Sequence, residues 1–284
     1  TLAVNWGDSL SPDNVEQYMF GAGTTSFSLT HQYLDDNPTA TLSDDYTIGL
    51  TITDDDTGTS SDTASVTIDN VAPQLGSLSA TTIDEHGTTT LTGVITDAGT
   101  LDTLTLNVNW GDPLSPDNVE QYTLAAGTTT FSLTHRYLVD NPTATSSDDY
   151  TIGLTITDDD TGTTSDTTSV TVANVAPLLG NLSATTIDEH GSTTLTGTIT
   201  DPGTLDTLTL DVTWGDPLSP DNVEQYTLGA GTTTLSLTHQ YLDNNPTATS
   251  SDDYTIGLTI TDDDSGTTSD TTSVTVANVA PLLG

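Results

Sequence analysis

Aspartates are the residues of this sequence whose type and spacing best suggest chemistry. Runs of three aspartates begin at Asp54, Asp158 and Asp262. A D-A-G-T-L-D stretch adds Asp97 and Asp102. A hard dication such as calcium takes about six to eight oxygen ligands, and carboxylates supply them well. The pattern predicts calcium as a cofactor, with these candidate ligands: Asp97, Asp102, Asp158, Asp160, Asp201, Asp206, Asp262, Asp264, Asp84, Glu85, Asp188 and Glu189.

The acidic runs match no established calcium motif. D-D-D-x-G is neither an EF-hand loop nor the nonapeptide of calcium-binding β-rolls. A competing interpretation is that these residues are solvated loop acids on the surface of a halophilic or merely acidic protein. The residues alone leave both interpretations open.

The charge of the chain limits its partners. Its 284 residues include 41 acidic side chains and a single basic one, Arg136, for a formal net charge of −40. Nucleic acid and anionic membrane surfaces need a cationic face, so neither is an expected partner. No apolar run approaches the roughly 18–20 residues of a membrane span, so we expect no direct membrane insertion. Cysteine is absent, and the composition favours an extracellular or cell-surface protein.

The acids recur because the whole sequence recurs every 104 residues, as the W-G-D triplets at Trp6, Trp110 and Trp214 show. A period this long indicates tandem domains rather than a solenoid, whose units run about 20–50 residues. We predict four segments: a first repeat over 1–73 that lacks its first two strands, complete repeats over 74–177 and 178–281, and the start of a further repeat at 282–284.

Alternating apolar and polar residues predict that strands carry the acidic loops. In the second repeat, the segments 104–110, 131–137 and 150–156 have the period of two that is typical of half-buried strands. Turn signals such as Asn141-Pro142 separate them, and no stretch has helical periodicity. Seven short strands in about 100 residues predict an all-β fold of tandem two-sheet antiparallel β-sandwiches arranged end to end.

In a sandwich with immunoglobulin strand order, the topology decides which loops meet. The loops over 97–102 and 158–166 should share one end of a sandwich. The loop at Asp84 and Glu85 should share the other end with Asn174. Because the chain enters at one end and leaves at the other, each acidic end should meet the next across the N-V-A-P linker. We expect calcium to join the two ends and to stiffen the junction.

Four motifs follow one another in each complete repeat. In the second repeat they are W-G-D at Trp110, T-H-x-Y at Thr134, D-Y-T-I-G-L-T-I-T-D-D-D at Asp149 and N-V-A-P at Asn174. In this order they resemble the polycystic-kidney-disease (PKD) domain, an immunoglobulin-like sandwich, although Pro113 stands where that family often has glycine. The resemblance implies tandem immunoglobulin-like antiparallel sandwiches of a bacterial or archaeal surface or adhesin-type protein. Such domains are extracellular modules of surface proteins, adhesins and secreted polysaccharide-degrading enzymes, where they act as spacers or binding modules. It implies no catalysis.

Enzymatic interpretations are weak. Asp84 and Glu85 are sequence neighbours, which rarely face one substrate across the gap that glycosidases need. No G-x-S-x-G elbow and no lysine or cysteine nucleophile occurs, so we predict that the chain is not an enzyme. His135 alternates with apolar neighbours on the inward face, and we predict that it is structural.

The predicted function is mechanical: a repeat segment of a large extracellular or fibre-forming protein, acting as a rod or spacer stiffened by calcium. The expected partners are further copies of the same repeat, in the same chain or in neighbouring chains. One alternative is an adhesin module whose outward Thr and Asn residues bind polysaccharide or cells. Another is a filament subunit completed by strand donation from a neighbour. We favour a window cut from a longer array, because an open sandwich exposes core and edge.

Overall fold

The computed structural model describes residues 1–36, 39–140, 143–245 and 247–281. The predicted turn at Asn141-Pro142 and the predicted start of a further repeat at 282–284 lie outside the described residues. Within these ranges the regular secondary structure consists of β-strands, and no residue is helical. The described ranges therefore contain no helix able to cross a membrane. The all-β prediction is confirmed.

The strands repeat with the sequence. The first repeat contains β1 (Leu2–Asn5), β2 (Val15–Tyr18), β3 (Ser43–Thr53) and β4 (Thr59–Asp69). The second contains β5 (Gln74–Ala80), β6 (Ile83–Asp84), β7 (Thr88–Thr96), β8 (Leu104–Asn109), β9 (Val119–Leu124), β10 (Thr130–Arg136), β11 (Ser147–Thr157) and β12 (Thr163–Ala173). The third contains β13 (Leu178–Ala184), β14 (Ile187–Asp188), β15 (Ser192–Thr200), β16 (Leu208–Thr213), β17 (Val223–Leu228), β18 (Thr234–Gln240), β19 (Ser251–Thr261) and β20 (Thr267–Ala277).

The third repeat is a two-sheet sandwich with immunoglobulin-like strand order. One sheet has the order β13-β15-β18, and the other has the order β14-β20-β19-β16-β17. The pairings are antiparallel except for the short parallel pairing of β14 with β20. The sheets of the second repeat have the same order. The prediction of tandem immunoglobulin-like sandwiches is therefore confirmed by the strand order itself.

Alternation along the strands builds the core of the third repeat. Inward residues of β16 and β19, such as Leu210 and Ile256, are fully buried, and they pack with Leu195 of the facing sheet in one apolar cluster. Outward positions on the same strands are mostly threonine and remain partly or fully exposed. Burial of these apolar side chains is the main favourable contribution to the folding free energy of the domain.

The W-G-D triplet fixes one corner of this core. Trp214 is fully buried, and its Nε1 donates to Oε2 of Glu224 over 2.7 Å. His239 stacks on the indole with ring centroids 4.7 Å apart, and burial lowers the pKa of this histidine. Gly215 follows with a φ of +75°, and a Cβ there would collide with the carbonyl of Thr255. The W-G-D motif thus has a structural role in packing, and so does the histidine, as predicted.

Two details of the strand prediction are wrong. The first repeat also lacks a strand over residues 26–32, because the equivalent β18 pairs only with β15 and residues 1–73 contain no counterpart of β15. Asp84 and Asp188 lie at the ends of short strands rather than in loops, because β6 and β14 add to the edge of the larger sheet.

The chain divides into two compact units. The first unit comprises Thr1–Ser79, Leu91–Leu133 and Thr151–Thr168. The second comprises Ala80–Thr90, Thr134–Tyr150 and the chain from Ser169 onward. The first unit contains the linker that begins at Asn70, and the second contains the linker that begins at Asn174. We call these linkers, each with the loops around it, the first and the second junction. The bounds of the four predicted sequence segments stay a prediction.

Candidate metal centre

In the third repeat, two tight loops carry the predicted ligands. After β15, the backbone N of Asp206 donates to the carbonyl of Gly203 over 3.0 Å. After β19, the backbone N of Gly266 donates to Oδ1 of Asp262 over 2.6 Å. Asp206 and Asp264 are buried at these turns, with 2% and 3% of their surface exposed. Local hydrogen bonds thus fix the shape of each loop that carries these acids.

The linker of the second junction lies against the second of these loops. The Nδ2 of Asn174 donates to Oδ2 of Asp262 over 3.1 Å, and the backbone N of Val175 donates to Oε1 of Glu85 over 2.9 Å. A Cβ on Gly266 would lie 2.9 Å from the Cα of Ala176. Glycine at this position is therefore what allows the linker to approach the loop so closely.

The first junction has the same construction inside the first unit. The Nδ2 of Asn70 donates to Oδ2 of Asp158 over 2.9 Å. A Cβ on Gly162 would lie 2.9 Å from the Cα of Ala72. The two linkers are consequently held by the same pair of residue types at equivalent positions.

Carboxylate oxygens converge at both junctions. At the first junction, three groups of side chains each bring one oxygen per residue within 4.8 Å of the others: Asp35, Asp36 and Asp160; Asp97, Asp102 and Asp158; Asp102, Asp159 and Asp160. At the second junction, two groups do the same: Glu85, Asp201 and Asp206; Asp206, Asp263 and Asp264. Asp102, Asp160 and Asp206 each belong to two groups.

Asp206 and Glu85 lack the partners that buried carboxylates normally have. Neither oxygen of Asp206 accepts a hydrogen bond from any described residue, and the same holds for Oε2 of Glu85, a side chain that is 3% exposed. Oxygens of both residues face Gly203, where a Cβ would collide with them. An unpaired buried carboxylate is strongly unfavourable. This donor set therefore fits a hard dication.

Burial and neighbouring like charges raise the pKa of these carboxyls. The pKa of Asp206 rises to about 8, first through burial and then through the charges of Glu85 and Asp201. Burial also raises the pKa of Glu85 to about 7. At the first junction, burial and the adjacent Asp35 carboxyl raise the pKa of Asp102 to about 8. A dication beside these groups would favour their charged forms.

Asp140 adds a further acid to the second junction. It is fully buried, and burial together with the Asp264 carboxyl raises its pKa to about 8. The third repeat has Asn244 at the equivalent position, 104 residues further on. The Nδ2 of Asn244 donates to the carbonyl of Thr249 over 3.0 Å. The third repeat therefore has an amide that makes a local hydrogen bond at this position, whereas the second repeat has a carboxyl group.

The structure brings most of the predicted ligands together. The first junction gathers Asp97, Asp102, Asp158 and Asp160, and the second gathers Glu85, Asp201, Asp206 and Asp264. Burial raises the pKa of Asp201, and the charge of Asp262 raises it further. Asp84 and Asp188 are exposed, and Glu189 accepts a hydrogen bond from the backbone N of Val279. Among the described residues these last three and Asp262 join no carboxylate group. Calcium binding by any of the twelve stays a prediction.

Five acids of the two junctions were missed by sequence reasoning: Asp35, Asp36, Asp140, Asp159 and Asp263. The first three follow the H-x-Y motif in a loop whose position at the linker end could have been read from the topology. The other two are the middle residues of D-D-D runs. Alternation suggests that they face outward, and they are exposed, but a turn still places one of their oxygens within its group.

No family model matches the chain, and no curated protein matches it. A crystal structure of a tetra-tandem repeat in the extending region of a large adhesion protein is similar over 97% of this chain and 66% of that one, at 23% identity and a TM-score of 0.49. The extracellular cadherin domains 1–5 of protocadherin gamma B2 are similar over 84% of this chain and 46% of that one, at 15% identity and a TM-score of 0.29. The chain spans less than two thirds of either structure. At these levels neither likeness assigns a function or a cation.

Proposed function

We propose that the chain is a stretch of an extracellular, PKD-like repeat array that acts as a rod or spacer and is stiffened by calcium at its junctions. The observation that carries the proposal is the convergence of buried carboxylate oxygens without hydrogen-bond partners among the described residues: Oε2 of Glu85 from the second repeat and both oxygens of Asp206 from the third. Solvated surface acids would have no reason to converge in this way from two repeats.

Charge explains why a cation would stiffen the junction. Without one, the converging carboxylates repel, and part of them must remain protonated to be buried. A dication with oxygen ligands from both repeats would replace repulsion by attraction. Its binding free energy would add to the stability of the folded junction. Calcium suits this site better than magnesium, which keeps several of its waters and seldom uses all-protein ligand sets.

The conditions outside a cell suit such a site. Calcium-binding extracellular modules typically bind with a Kd of roughly 10⁻⁴–10⁻³ M. A rod of this kind would therefore be stiff where calcium is plentiful and more flexible where it is scarce. This role needs no catalysis, in line with the prediction that the chain is not an enzyme.

A second candidate function is polysaccharide binding on the outer face of the larger sheet. Rows of hydroxyl groups cross β19 and β20. The side-chain oxygens of Thr259 and Ser269 lie 2.9 Å apart, and those of Thr261 and Thr267 lie 3.0 Å apart. Hydroxyls both donate and accept hydrogen bonds, which suits sugars. This function predicts glycan binding that persists in chelator.

Thermal unfolding tests the main proposal. We would compare the protein in chelator, in calcium at about 100 times the Kd, and in sodium chloride at matched ionic strength. Calcium at that ratio should add about 2.7 kcal/mol per site to the free energy of unfolding. A rise in the melting temperature that is specific to calcium supports the proposal. Equal melting temperatures in calcium and in matched sodium chloride would contradict it.

A further inference from the structure

We infer that Asp206 bridges two cations at the second junction, an inner one held within the third repeat and an outer one held between the repeats. The inner ion would bind Asp206, Asp263 and Asp264. The outer ion would bind Asp206, Asp201 and Glu85. The inference rests on the proposed function and adds to it the number and the arrangement of the ions.

Geometry supports the bridge. Asp206 offers an oxygen to each of the two groups, and the oxygens of each group lie within 4.8 Å of one another. Both oxygens of this side chain lack a hydrogen-bond partner among the described residues, and the side chain is 2% exposed. A carboxylate has one oxygen for each of two ions, so a single cation would leave one buried oxygen of Asp206 uncompensated.

The charge of the two carboxylate groups also supports the binding of two ions. The two groups contain five carboxylates: Glu85, Asp201, Asp206, Asp263 and Asp264. One dication would leave three negative charges in the cluster, whereas two would leave one. Because like charges in a buried site repel strongly, the second ion removes most of what the first leaves.

The outer ion is the one that would couple the repeats. Its ligand Glu85 belongs to the second repeat, and Oε1 of this residue already accepts a hydrogen bond from Val175 in the linker. Its unpartnered Oε2 faces Gly203 together with Asp206. The ligands of the inner ion all belong to the third repeat. Inner binding would thus order the loops, and outer binding would tie them to the linker.

Ion counting by native mass spectrometry in calcium tests the bridge. Glu85→Gln should lose one ion through the outer group, and Asp263→Asn should lose one through the inner group. The double variant should lose two ions, and Asp206→Asn should also lose two. The exposed Asp188→Asn, which lies outside both groups, should lose none. Circular dichroism would check that each variant is folded.

The outcomes separate this inference from the proposed function. If the unaltered chain binds no calcium, the proposed function fails. If it binds calcium but the double variant of Glu85 and Asp263 loses only one ion, both residues serve one site and the bridge is overturned. The double variant can overturn the bridge in this way even if Asp206→Asn does not fold.

Discussion

The side-chain amide of Asn174 donates a hydrogen bond to the carboxylate of Asp262 over 3.1 Å. Asn174 opens the N-V-A-P linker, and Asp262 opens the D-D-D run of the next repeat. An uncharged donor therefore places the loop against the linker without the help of a cation. Asn70 and Asp158 do the same at the first junction. The remaining carboxylates, above all Asp206, are left for a cation to compensate.

Close approach of linker and loop makes Gly266 sensitive to substitution. Gly266→Ala would place a Cβ 2.7 Å from Nδ2 of Asn174 and 2.9 Å from the Cα of Ala176. Such overpacking typically lowers the free energy of unfolding by about 1–3 kcal/mol. Urea unfolding would measure the change. Gly58→Ala is the matched control, because Gly58 occupies the equivalent loop in the first repeat and the three atoms nearest to a Cβ there all belong to Asp54. Equal losses in both variants would show that the linker contact is not the cause.

A charge-neutral change should disrupt the candidate centre. Gly203→Ala would place a methyl group against the oxygens of Asp206 and Glu85. We expect the calcium affinity of the second junction to fall by at least about tenfold, the lower end of what altered ligand positioning costs. Isothermal titration calorimetry would measure it. Gly257→Ala is the control, since a Cβ on Gly257 has no neighbour within 4 Å. An unchanged affinity in Gly203→Ala would place the ions elsewhere.

Asp140→Asn should change stability in opposite directions with and without calcium. Asn244 shows that the fold accommodates asparagine at the equivalent position, where it donates to a local carbonyl. In chelator the variant should be more stable by about 1–3 kcal/mol, because it replaces an uncompensated buried carboxyl with a hydrogen-bonded amide. In calcium the gain should shrink or reverse, because a negative charge beside the ions is lost. Chemical unfolding in both buffers would show this. A gain of the same size in both would mean that Asp140 does not interact with a cation.

The raised pKa values determine whether the free energy of unfolding rises or falls with pH in chelator. The pKa of Asp206 and that of Asp102 are both about 8 in the folded chain, against about 4 for an unfolded aspartate. The folded state therefore binds more protons than the unfolded state between these values. Its free energy of unfolding should fall as pH rises from about 4 to about 8. Calcium should weaken or reverse this trend, because ligands must be deprotonated to bind. Stability that rises with pH in chelator would contradict the buried, cation-free cluster.

Much of the fold could be predicted from the sequence because it depends on local pattern. Alternation identified β8, β10 and β11 and their buried faces, and the loop order placed Asp97 and Asp102 beside Asp158. The absent strand at 26–32 was missed because its formation depends on a partner strand rather than on its own alternation. Asp140 was missed because the Asp264 carboxyl that acts on it belongs to the next repeat. Gly203 was missed because the side chains that face it, Asp206 and Glu85, come together only in the folded chain.

The most direct test of cation-dependent stiffness is a distance distribution across the second junction. The chain has no cysteine, so Ser169→Cys and Ser273→Cys would attach spin labels at two exposed, equivalent positions of the second and third repeats. Pulsed dipolar spectroscopy would compare calcium with chelator at matched ionic strength. We expect a narrow distribution in calcium and a broad one in chelator, with Glu85→Gln broad in both. Distributions of equal width in calcium and in chelator would contradict the calcium-stiffened rod.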